Sequence, residues 1–185
     1  MRSLQPGASM ATHAPIRMTL LDRALPDRVL GALALAMLAV VAVAVARGHA
    51  DWSRIPPILW VHLATMAVAL ALTPVMLTRR KGTRNHRRLG YLWVAAMLGS
   101  AVVSLFFNAR IDGARNWGVF SGDVSPIHLL SVFVIVMVPR LVLQARAHNV
   151  AAHRGGVRGM VIGALLIAGF FTFPFGRLLG HWLLG

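Results

Sequence analysis

Cysteine and glutamate are both missing from this chain of 185 residues. Without a thiol there is no disulfide, no thiolate metal site, no iron–sulfur cluster and no covalent attachment of c-type haem. Any metal or cofactor must rely on His, Asp or Met. The acidic residues are five in all, and the apolar runs hold almost none, which argues against a proton- or cation-coupled carboxylate relay. With no Glu there is no His-Glu-x-x-His pair, and Ser100, Ser104 and Ser131 have no acid and base close by in sequence, so a hydrolase is a poor reading and no catalytic residue is assigned. Charge of either sign is scarce: 13% of residues are charged against 57% hydrophobic, with a mean hydropathy of +0.69. A soluble globule of this size needs more polar surface than that, so the solvent is largely lipid.

The apolar residues fall in runs near the length that spans hydrocarbon: about 29–46, 58–77, 89–107, 126–145 and 157–175. They predict an all-α integral membrane bundle of about five transmembrane helices, one domain over 29–185. Pro74 lies in the last turn of the second run, and Pro139 with Arg140 interrupts the fourth late. Each run is kept as one helix, with Arg140 snorkelling to the nearer surface. Residues 1–28, with Arg2, Arg17, Arg23 and Arg28 among three prolines, predict a flexible tail. A cleaved signal peptide ending at Ala44-Val45-Ala46 is the competing reading, but its basic region is too long and its apolar run exceeds the usual span of roughly 7 to 15 residues.

The excess of 19 Lys and Arg gives a net charge of +14. These residues gather at the ends of apolar runs and not over one soluble face, which argues against a nucleic-acid partner. With the N-terminus in the cytoplasm, that side receives the four tail arginines, the run from Arg79 to Arg88, and Arg140, Arg146, Arg154 and Arg158. The other side keeps Arg47, Arg54, Arg110, Arg115 and Arg177, a positive-inside bias with the C-terminus outside. Trp52, Trp60, Trp117 and Trp182 then fall near the outer surface, and Tyr91 and Trp93 near the inner one. The arginine run is also suited to anionic lipid at the cytoplasmic face.

Eight histidines carry most of the remaining chemistry. His62 and His128 fall near the outer ends of the second and fourth runs, His86 and His153 at the inner thresholds of the third and fifth. Four helices with one His each, two at either face, is the layout a di-haem b cytochrome requires, since each iron takes two imidazoles from different helices. Arg84 and Arg154, with Arg87, Arg88 and Arg158, are candidate partners for haem propionates. Gly155, Gly159 and Gly163 offer a flat face to a macrocycle or, equally, to a neighbouring helix. The bland alternatives are that His86 and His153 are interfacial residues in basic loops and that His62 and His128 make interhelical hydrogen bonds. A bound metal ion on the same four histidines is a further alternative. His13, His49, His148 and His181 are given no role.

The phrases Lys81-Gly82-Thr83-Arg84-Asn85-His86-Arg87-Arg88-Leu89-Gly90, Ser125-Pro126-Ile127-His128-Leu129-Leu130-Ser131, Ala152-His153-Arg154 with Arg158-Gly159, and Gly176-Arg177-Leu178-Leu179-Gly180 resemble a bacterial family of multi-helix membrane proteins catalogued as domain of unknown function 2306. The resemblance covers about residue 62 to 185 and implies a helical fold in a bacterial inner membrane but no reaction. In layout alone, the four histidines are similar to the ascorbate-dependent di-haem cytochromes b. That likeness implies His62 with His128 and His86 with His153 as axial pairs, the second less sheltered because it lies in charged loops. Two functions stay open: a membrane electron carrier working with a quinone or other redox partner, and a non-redox small-solute carrier or accessory subunit.

Overall fold

The structure, a computed structural model, describes residues 25–106, 126–174 and 176–185, and every regular element among them is helical. Residues 1–24, 107–125 and 175 lie outside the described residues, and with them the predicted tail and the last predicted residues of the third and fifth runs. Helix α1, Asp27–Arg47, follows Pro26, and Asp27 in its first turn and Arg47 in its last both complement the helix dipole. A run of 3-10 turns, Gly48–Arg54, leads to α2, Pro57–Thr78, which has proline at its first position and continues through Pro74.

Helix α3, Arg84–Ser104, starts inside the arginine run, ahead of the apolar stretch at 89. Thr83 explains this: its hydroxyl accepts from the backbone N–H of His86 at 3.2 Å and caps the helix there. Helix α4 is unbroken over Pro126–Arg146 with Pro139 inside it. A tight turn through His148, whose φ is 55°, brings the chain into α5. The Asn149 side chain caps α5 by accepting from Ala152 N at 3.1 Å. This helix is α-helical over Val150–Met160, widens to π-helical geometry over Val161–Ile167 and closes with Ala168–Phe170. The C-terminal segment is folded back as α6, Leu178–Leu184.

Four helical stretches are long and apolar enough to cross a membrane: Asp27–Arg54, Pro57–Thr78, Pro126–Arg146 and Val150–Phe170. The sequence predicts about five. Helix α3 stands apart because its first turn is Arg84-Asn85-His86-Arg87-Arg88, yet it packs between α2 and α4 as a full member of the bundle. Neighbours in sequence are neighbours in space from α1 to α5, and the second half of α5 returns to α1 and touches α2. Helices α2 to α5 therefore surround a common interior, with α1 outside the seam between α2 and α5. Leu30, Leu70, Met97, Val138, Met160 and Leu165 fill the core, whereas Leu35, Val61, Leu92, Val132 and Leu143 are exposed on outward faces. A helix apolar on both its inner and outer faces is the pattern of a chain solvated by lipid.

Buried polar side chains pair between helices. The buried Trp93 indole donates to Thr73 Oγ1 at 3.1 Å, joining α3 to α2, and Ser104 and Ser131 share a hydrogen bond of 2.5 Å that joins α3 to α4. Helix α6 docks on α1 through Ala44, Leu179 and Trp182, and the Trp182 indole donates to Asp51 Oδ2 at 3.1 Å. Gly48 lies under the Trp182 ring and Gly180 against the Phe173 carbonyl, so neither position has room for a Cβ.

Candidate ligand site within the bundle

The interior of α2 to α5 opens into a cavity of about 390 Å³, toward the small end of the roughly 300–1,000 Å³ typical of small-molecule sites. It lies where α2 and α4 begin and α3 and α5 end. Its wall is mainly apolar, with Met66, Met97, Leu130 and Val134, and its polar groups come from His62, Ser100, Ser104, Ser131, Thr172 and Arg177. A small polar set on a mainly apolar wall is the composition of a small-molecule site.

His62 is tied to the next helix. Its Nδ1 lies 2.9 Å from Ser100 Oγ and 3.4 Å from Ser100 O. Two oxygens, one a carbonyl that can only accept, favour the tautomer in which Nδ1–H donates to Ser100 and the lone pair sits on Nε2. The same tautomer argues against Ser100 as a nucleophile, since its base would need that lone pair on Nδ1. His128, in the first turn of α4, is half-buried at the same end of the bundle, but it is not among the residues lining the cavity.

The opposite end holds the second pair. His153 Nδ1 donates to the Leu141 carbonyl on α4 at 2.9 Å, which leaves its lone pair on Nε2. His86 is close enough to feel the charge of His153. Burial first, then the positive charges of His153 and Lys81, hold its imidazole below the ordinary value of 6.5. Its Nδ1 is fully buried with no hydrogen-bond partner, as is Gln144 Oε1. A buried acceptor or donor left unmade is costly, and such atoms concentrate where a ligand or water belongs. A Cβ added at Gly155, Gly159 or Gly163 would meet nothing within 4 Å, so this glycine face is not pressed against a neighbouring helix among the described residues.

The arginines divide. Arg158 is buried, paired to Asp27 and donating to the Leu25 carbonyl at 2.5 Å, while Arg154 and Lys81 reach the same Asp27 at 3.4 and 3.1 Å. Arg84 stays exposed at the start of α3. The structure thus brings His86 near His153 and sets His62 on the cavity. It adds Ser100 and Arg177 to the site, and it gives Asp27, an acid the sequence reading passed over, three cationic partners.

Apolar faces turned outward and buried polar side chains paired between helices define a helical membrane protein with a ligand-sized interior. The chain belongs to the family described as predicted membrane protein, domain of unknown function 2306, which matches residues 59–173. The match takes in His62, His86, His128 and His153 and leaves α1 and α6 outside it. No curated protein and no solved structure matches the chain.

Proposed function

We propose that this chain is a b-type haem protein of the membrane that carries electrons between a donor such as a quinol and an acceptor. His86 with His153 would hold one haem iron, and His62 with His128 the other. The observation that carries the reading is the anchoring of two of these rings: His153 and His62 each hold Nδ1 against a group of the adjacent helix, the arrangement that fixes ring orientation and presents Nε2 to a metal. The donor set fits. Among the described residues no group of three or more His, Cys, Asp or Glu is placed to hold a bare ion, whereas two imidazoles suffice for an iron whose other four ligands are porphyrin nitrogens.

Haem held by these residues would supply one-electron redox chemistry. The chain's own residues do the rest. Burial and nearby positive charge keep His86 neutral, the form that ligates, and the Leu141 carbonyl fixes the His153 tautomer. Arg84, exposed at the start of α3, and Arg154, which also reaches Asp27, are the candidate propionate partners, whereas Arg158 is held by Asp27 and Leu25. The setting we infer is a bacterial cytoplasmic membrane with the His86 end inside. The basic run from Arg79 to Arg88, which also suits anionic lipid, supports that orientation.

A second reading, a non-redox carrier of small solutes, is favoured by one observation: the cavity has His62 on its wall but not His128. An optical spectrum of the purified full chain, oxidised and dithionite-reduced, separates the two. The haem reading predicts a sharp Soret band with α and β bands, each weakened in His153→Ala and in His62→Ala. A colourless protein from haem-replete cells leaves the solute reading.

A further inference from the structure

Among the described residues lining the cavity, Arg177 carries the one permanent charge. It is half-buried, and no described carboxylate lies within ion-pairing distance of it. Of the two described aspartates, Asp27 is paired with Lys81, Arg154 and Arg158, and Asp51 is engaged by Trp182 and Arg54. The position of Arg177 is built. Gly176, at φ +68°, reverses the chain, and α6 is then fixed by the Trp182–Asp51 hydrogen bond and the close approach of Gly180 to Phe173. A guanidinium whose only role is to snorkel reaches away from the bundle to water; this one closes a wall shared with His62, Ser100 and Thr172. A cation on a mainly apolar wall, with no acid among the described residues to balance it, suits an anion.

The geometry points to an anionic ligand: Arg177 binds the carboxylate of a molecule whose apolar body fills the cavity between Met66, Met97, Leu130 and Val134. Two sources share that chemistry, a propionate of a porphyrin and the headgroup of a free amphiphilic acid. The inference rests on the cavity being a ligand site and not on which of the two fills it.

The test compares acid with neutral ester on the purified full chain in detergent. Two pairs serve as probes: dodecanoate with methyl dodecanoate, and protohaem with its dimethyl ester. A charge-assisted hydrogen bond to a guanidinium predicts that, in at least one pair, the acid binds about tenfold more tightly than the ester. Arg177→Gln abolishes that preference by weakening the acid about tenfold more than the ester. Arg177→Met stands in if the Gln variant fails to fold, as judged by thermal unfolding. Equal affinity of acid and ester in the wild type, survival of the preference in the variant, or no binding of any probe overturns the assignment. A dodecanoate preference in a chain that takes up no haem upholds Arg177 and sinks the electron carrier. Haem bands without any acid preference do the reverse.

Discussion

Thr73 shows how much one side chain does between these helices. It is buried, donates to the Ala69 carbonyl at 2.7 Å and accepts the Trp93 indole N–H at 3.1 Å. Thr73→Ala strands that indole and is expected to cost roughly 1 kcal/mol, measured as a shift in detergent unfolding; Trp93→Phe in the same background should add little. His86 gives a pH dependence with a definite sign. Its folded-state value lies below 6.5, so the unfolded chain takes up the proton first as pH falls. Stability is whole above 6.5 and drains as pH drops from there toward the lower folded value. His86→Gln should flatten that decline in melting temperature. The positions of the four histidines were legible in the sequence because each sits near the end of an apolar run. Their partners were not: Ser100 lies 38 residues from His62, and a backbone carbonyl such as that of Leu141 has no signature. Arg158 read as a propionate partner until its acid, 131 residues earlier, closed on it.

At the level of elements, the apolar runs located α1 to α5, but charged sequence hid where they start. Thr83 and Asn149 cap α3 and α5 within polar text, so both helices begin earlier than hydropathy alone suggests, and His86 and His153 become helical residues. Asp27 holds the start of α1 to Lys81 ahead of α3 and to Arg154 and Arg158 on α5. Asp27→Asn takes away the carboxylate that balances a buried guanidinium and should cost about 3 kcal/mol, with much of it recovered in the double variant Asp27→Asn, Arg158→Met. Thermal unfolding of the four proteins of that cycle decides the matter, since additive losses would contradict the coupling. Helix α6 was invisible for another reason: seven residues are too few to show a period, and what holds it, Gly48 under Trp182, is remote in sequence. Gly48→Leu should release α6, seen as faster proteolysis near Arg177 with α1 to α5 intact.

The whole molecule was the most legible level. Composition alone required lipid as solvent, and hydropathy required a helical bundle, because these depend on sums over many residues and not on any one contact. What the sums do not contain is the interior: which faces meet, and that α2 to α5 leave a cavity with His62 and Arg177 on its wall. The central claim is that the bundle binds haem through histidines paired between helices, one pair toward each end. Its most direct test is the haem content per chain, by pyridine haemochrome assay on protein purified from haem-replete cells, for the wild type beside His153→Ala and His62→Ala. The account predicts one haem for each histidine pair, with each variant losing one and keeping the other. A wild type that carries none, or variants that keep the full wild-type content, would contradict it.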